Sequence, residues 1–319
     1  MSEEQIAQIS GFLFRQPKQK LVRSQVNYRG FQLVNNPGSS KNEQKRWINM
    51  QADARLILNF GENNNFFVVG NLGYAPRPSG APKDADQSEV RSREHYLGIN
   101  FTPKFSLYAG LMDKVYGLRV VEHIAYSRTF TETTQSDQVH GVAAHYLGTN
   151  WEFGAHGFLG NLQQDQKVQT KGFSLMTEKT IFNEHRLGLS VMNTKNEFVN
   201  RLSYAAHTKF NLHDGSAILA EVGQTISKVA SAQENQTGRY ALFQTYIRPS
   251  RGFYFLTNIE YSAPDVNLKN YTVRVGPGVQ YFPIQRLELR FDLYNTRNFN
   301  PNVATVDAWM YLLQTHLWL

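Results

Sequence analysis

The sequence predicts an all-β fold: a transmembrane antiparallel β-barrel of about 16 strands (bracket about 14–18), with short periplasmic turns and long extracellular loops. Three observations predict it. Polar and apolar residues alternate with a period of two along most of the 319 residues, whereas helical spacing is scarce. Several alternating runs reach about ten residues or more, beyond the roughly five or six of a soluble strand. Tight turns and longer polar connections also succeed one another in regular order, which separates a barrel of this kind from a soluble sandwich.

The first strand falls near 20–34, where Val22, Val26 and Tyr28 alternate with Arg23, Gln25, Asn27 and Arg29. After Gly30 the apolar positions become Phe31 and Leu33, a change of parity that a bulge at the glycine explains. Residues 5–15 compete for that place. At 48–60, Ile48, Met50, Ala52, Ala54, Leu56, Leu58 and Phe60 share one parity, and polar residues hold most of the other. A strand sends these two sets to opposite faces.

The pattern then repeats as hairpins. Phe60 and Phe66 flank the Gly-Glu-Asn-Asn-Asn turn at 61–65, and Thr102-Pro103-Lys104 joins the runs 97–101 and 105–111. Gly148-Thr149-Asn150 joins 142–146 to 151–159, a weaker pair lies at 169–177 and 186–194, and His213-Asp214-Gly215 joins 202–212 to 218–222. Residues 248–252 join 241–247 to 253–261, and a turn near Pro283 joins 273–281 to 287–293. The last strand is 305–319. Gly, Pro, Asn and Asp recur at these turns because they reach the backbone angles that tight hairpins need. Between hairpins, 77–91, 113–137, 229–238 and 295–304 read as long polar connections.

Composition narrows the function. There is no Cys, so a disulfide scaffold, a thiolate metal site and a Cys nucleophile are excluded. No stretch approaches the roughly 18 apolar residues of a membrane-crossing helix, and the mean hydropathy is −0.45. Lys and Arg exceed Asp and Glu by 33 to 26, a net charge of +7. They are scattered through turns, loops and one strand face, with Arg15, Lys18, Lys20 and Arg23 the densest group. A nucleic-acid partner needs a continuous basic stripe and is not expected. The division of the chain is therefore an N-terminal periplasmic or lumenal segment at 1–19 and a barrel at 20–319.

The closing run carries a resemblance. Trp309, Tyr311, Leu313, Leu317 and Leu319 share one parity, with Thr315 the polar exception, and the given chain stops on the strand. This resembles the final strand of bacterial outer-membrane β-barrels, although Leu319 stands where that class usually has Phe or Trp. A chain of this size and strand count looks like a general porin. The resemblance implies a cell outer-membrane location, contact with lipid and lipopolysaccharide, a homotrimer, and passive diffusion of small hydrophilic solutes or ions. It also implies that the third long loop, 113–137, folds inward as a constriction; its candidate residues are Asp113, Lys114, Arg119, Glu122, His123 and Arg128.

In a barrel the lipid face must be apolar and the enclosed face can be polar. The polar parity assigns Asp53, Arg55, Arg186, Arg201, Lys209, Glu221, Glu260, Arg274, Glu288, Arg290 and Asp292 to the lumen, with Glu94, Glu152, His156, His207 and His316. Both signs occur in similar numbers, so weak anion preference or none is expected. About sixteen strands leave a water-filled bore. Trp47, Trp151, Trp309, Tyr146, Tyr204, Tyr261 and Tyr281 lie near strand ends, where membrane-interface aromatics settle.

Catalysis is not expected. There is no Gly-x-Ser-x-Gly elbow and no His-Glu-x-x-His helix. His140 and His145 fall on opposite strand faces and make a poor metal pair, so neither metal nor cofactor is assigned. The alternative readings are a barrel hydrolase assembled across strands and a barrel that binds or scaffolds a partner.

Overall fold

The computed structural model describes residues 21–37, 43–61, 65–75, 89–120, 125–182, 184–231, 234–301 and 303–319. The expected N-terminal segment at 1–19, and Glu122 and His123 of the third loop, lie outside the described residues. The first strands are Val22–Asn35 (β1), Gln44–Phe60 (β2), Phe66–Ala75 (β3), Glu89–Thr102 (β4), Phe105–Met112 (β5), Val139–Leu147 (β6), Trp151–Gly160 (β7) and Lys171–Ile181 (β8). They continue as His185–Lys195 (β9), Val199–Asn211 (β10), Ala217–Val229 (β11), Gln236–Ser250 (β12), Phe253–Ala263 (β13), Tyr271–Ile284 (β14), Leu287–Asn300 (β15) and Val303–Trp318 (β16). One helical turn, Tyr126–Thr131 (α1), interrupts the β5–β6 connection.

Each strand pairs antiparallel with its sequence neighbours, and β1 closes on β16 with Asn27 opposite Trp318 and Asn35 opposite Met310. Closure leaves the sheet no open edge of unpaired N–H and C=O groups, as a sheet requires where no water can supply partners. The outer parity is apolar and exposed, as at Leu56, Leu97, Phe153, Leu189, Val222, Phe255, Phe291 and Leu313. Such a belt around a whole cylinder requires lipid, because water would drive it into association. Trp151 stacks on Phe153 with Lys179 over its ring, and Tyr271 stacks on Phe299, so aromatic rings mark both ends of the belt. The inner parity is buried and largely polar.

Seven connections at one end are short: 61–65, 103–104, 148–150, 182–184, 212–216, 251–252 and 285–286. At the other end 76–88, 113–138, 161–170 and 264–270 are long, but 196–198 and 301–302 are as short as turns. The expected loop at 295–304 is therefore corrected to strand. Its polar residues find cross-strand partners there: Arg297 grips Asp307 at 2.6 Å and Thr272 donates to Asn298 at 2.7 Å.

The parity switch near Gly30 is also corrected in detail. Arg29 faces Gln51 and Gly30 faces Asn49, so the extra residue is Met50, on β2 rather than β1. The bulge turns Met50 and Ile48 inward, off the lipid-facing set to which alternation assigns them. Phe31 and Leu33 also face inward. Phe31, Met50, Tyr294 and Leu312 form an apolar patch inside the cylinder, against which Leu33 and Ile48 pack.

Candidate functional site

The β5–β6 connection turns into the cylinder instead of away from it. Its first stretch is apolar between charges: Lys114, Val115, Tyr116, Gly117, Leu118, Arg119, Val120. The enclosed wall offers apolar sockets for it. Val115 packs with Phe67, Tyr96, Tyr108 and Met176, and Tyr116 with Phe158, Met192 and Ala205. Leu118, Val120 and Ala125 pack with Leu219, Leu242, Tyr246, Tyr254 and Leu256. The segment thus leaves β5 and reaches the opposite wall at β11–β13, held by ordinary burial of apolar surface.

Polar tethers follow the same path. Gly117 N–H donates to Ser190 Oγ at 3.0 Å, Leu118 N–H donates to the Glu221 carboxylate, and Tyr126 N–H donates to Glu260 Oε2 at 2.6 Å. Gly117 has φ of +57°, and a Cβ there would meet Glu221 Oε2 at 2.5 Å, so the turn at this point needs glycine. Arg274 grips Glu260 at 2.6 Å and lies 4.3 Å from the centre of the Tyr126 ring. The Tyr116 and Tyr240 hydroxyls are 3.4 Å apart. Farther along, Arg201 pairs with Glu132 at 2.6 Å, and Glu132 closes α1 in the left-handed conformation.

Inside the segment the charges serve its own fold. Asp113 and Arg119 form an ion pair. Lys114 donates to the Glu132 carbonyl at 2.7 Å, and Arg128 donates to the carbonyls of Val120 at 2.9 Å and Thr133 at 3.1 Å. Burial opposes the charged form of Glu132, but Arg201 and Lys114 outweigh it and hold the carboxyl below its usual range. Burial lowers Lys114 despite Asp137 and Glu132 nearby, and raises the Tyr116 and Tyr126 hydroxyls.

All eleven residues assigned to the lumen lie on the enclosed face, and the structure sorts them into three groups. Arg201, Glu221, Glu260 and Arg274 hold the inserted segment, as above. Arg186 and Lys209 join Glu178 and Glu152 near the short-turn end: Arg186 lies 2.7 Å from Glu152 and 3.3 Å from Glu178, and Lys209 lies 2.5 Å from Glu178. His207 meets Glu178 at 2.9 Å and His145 meets Glu152 at 3.0 Å. The third group spans β15, β16 and β1–β4. Arg290 is bidentate to Asp292 at 2.8 and 3.0 Å, Glu288 lies 3.1 Å from His316, Arg29 reaches His316 at 3.2 Å, and Arg55 meets Glu94 at 3.1 Å. Asp53 belongs to this group through a partner that alternation does not assign to the wall.

That partner is Arg93, 2.9 Å from Asp53 and buried. By parity it shares the outer side with Leu97. Asn71 faces Glu94 and Leu72 faces Ser92, so Arg93 is the extra residue of a bulge and swings inward. The signal in the sequence is the run Arg91-Ser92-Arg93-Glu94, in which Arg91 and Arg93 hold two positions where alternation should place apolar residues. Ser190 and Tyr240, which anchor the segment, carry no such mark. His140 and His145 do face opposite sides: His140 meets His95 outside, at 3.1 Å between Nε2 atoms.

No family model and no curated protein matches the sequence. Solved structures do match in shape. In vitro-folded OmpT, an outer membrane protein of Vibrio cholerae in trimer form, is 11% identical with a TM-score of 0.71, over 93% of this chain and 99% of that one. The outer membrane channel DcaP of Acinetobacter baumannii is 13% identical with a TM-score of 0.67, over 93% and 97%. An anion-selective porin from Comamonas acidovorans is 8% identical with a TM-score of 0.68, over 93% and 99%. At such identities the likeness shows the fold alone. A closed cylinder of sixteen strands, apolar outside and charged within, is the porin-like fold of bacterial outer-membrane barrels, and it places this chain in that membrane.

Proposed function

We propose that the protein is a porin-like channel for passive diffusion of small hydrophilic solutes or ions, non-catalytic, with 113–137 as its constriction. The observation that carries this reading is the inserted segment, tethered to Ser190, Glu221 and Glu260 across the bore. A barrel that only anchors a surface partner has no use for a loop built into its own interior. The wall beside it carries paired charges, which suits water-borne solutes. DcaP is a channel and the Comamonas protein an anion-selective porin, in keeping with that reading. The trimer form of the Vibrio protein supports a homotrimer here.

Single-channel recording of the refolded protein in planar bilayers tests the proposal. Discrete current steps are expected. A variant with 115–136 replaced by a short Gly-Ser link should conduct more per channel, because the segment leaves the bore. A silent wild-type barrel that stays silent after the replacement rejects the proposal.

A further inference from the structure

On the outer face at the long-loop end, one row of residues stands apart from the apolar belt. Lys171 begins β8, directly opposite Lys195 at the end of β9. Lys195 is opposite Asn200 on β10, and Asn200 is opposite Lys228 on β11. All four side chains share the exposed, outward parity of their strands. On β12, Arg239 continues the positive edge and donates to Gln224 at 3.1 Å. Adjacent strands lie about 4.8 Å apart, so Lys171 and Lys195 are neighbours and Lys228 follows two strands on.

Two like charges directly opposed are destabilising, and these have no acidic partner among the described residues. Glu197, the acid in the adjoining 196–198 connection, lies 3.9 Å from Lys167 instead. Two other cations on the same rim are paired: Lys45 with Glu43 at 2.7 Å and Arg297 with Asp307 at 2.6 Å. Below the row the outer face is largely apolar, with Phe173, Leu175, Leu189, Tyr204 and Val222 all well exposed and Asn193 and Gln224 the polar exceptions. Cations above an apolar slope match an amphiphile with an anionic head and acyl chains. Lysine binds phosphate as a point charge, more strongly near a low-dielectric edge.

We propose that Lys171, Lys195 and Lys228 form a docking site for the phosphate groups of an outer-leaflet glycolipid, whose acyl chains lie along β8–β11. The site does not depend on conduction through the lumen; it depends only on the barrel spanning the membrane.

The test uses the refolded full chain in micelles doped with diphosphoryl lipid A, or with the same lipid stripped of phosphate. Lipid retained after size-exclusion is counted by native mass spectrometry. Wild type should retain the diphosphoryl lipid at least about tenfold better than the combined Lys171→Gln, Lys195→Gln and Lys228→Gln variant. Dephosphorylated lipid should be retained weakly by both. Combined Lys45→Gln and Arg297→Gln should keep wild-type retention, as should the three lysines changed to Arg, which keeps the charge if the Gln variant folds poorly. Heat-modifiable gel migration reports folding of each. Equal retention by wild type and the Gln variant, or of both lipids by wild type, overturns the proposal. Displacement of the lipid by millimolar inorganic phosphate does the same, since it makes the row a free-anion site. So does loss of trimers in the Gln variant with lipid retention unchanged, which assigns the row to a subunit contact.

Discussion

At the scale of single residues, the wall is a set of buried charges that are stable only as pairs. Asp53 and Arg93 show this most clearly, with 0% and 7% of their side chains exposed. Arg93→Gln leaves a buried carboxylate with the weaker donors Asn27, Gln51 and Asn71, at 3.0, 2.6 and 3.4 Å. Breaking such a pair costs about 3–5 kcal/mol. Denaturant unfolding in detergent should show a loss of this order for Arg93→Gln, and a much smaller one when Asp53→Asn is added, because the stranded charge is then gone. Equal losses in the single and double variants would mean that the pair does not carry this stability.

At the scale of elements, the inserted segment is a loop whose position depends on the wall. Its apolar side chains supply burial, and its backbone N–H groups find wall carboxylates. The Glu132–Arg201 pair adds a pH dependence with a definite sign. The folded-state value of Glu132 is depressed below its ordinary value of about 4.3 by Arg201 and Lys114. The pair therefore stabilises the inserted position at all pH above that ordinary value, and this is lost as pH falls through the depressed value. Lys114, lowered by burial, acts in the same sense at higher pH: burial opposes its charged form, and its contribution improves as pH rises from its lowered value towards the ordinary lysine range. Current noise from segment motion should be low at neutral pH and grow below about pH 4. Arg201→Gln should be noisier already at neutral pH; identical noise in both proteins across the range would remove the pair from the mechanism.

At the scale of the whole molecule, the net charge of +7 does not fill the bore. Lumenal cations sit against lumenal acids: Arg290 with Asp292, Arg274 with Glu260, and Arg186 and Lys209 with Glu178. Unneutralised positive charge lies on the outer rim at Lys171, Lys195 and Lys228. Paired wall charges leave little net field, so the reversal potential under a salt gradient should show weak anion preference or none. A clear cation preference would contradict this distribution of charge.

The fold was legible because alternation is imposed residue by residue. Lipid on one side and the bore on the other leave each strand position two choices, and Leu187, Leu189 and Val191 against Ser190 and Thr194 record them directly. Closure follows from the same record, since a membrane tolerates no open edge. What alternation cannot carry is an inserted residue. The bulges at Met50 and Arg93 reverse the face of their neighbours, and the backbone alone shows where they fall. Nor can it show that Ser190, Glu221, Tyr240 and Glu260, from four different strands, converge on one loop. Parity depends on a residue's own surroundings and can be read along the chain; a tether depends on two distant residues meeting, and only the closed cylinder brings them together.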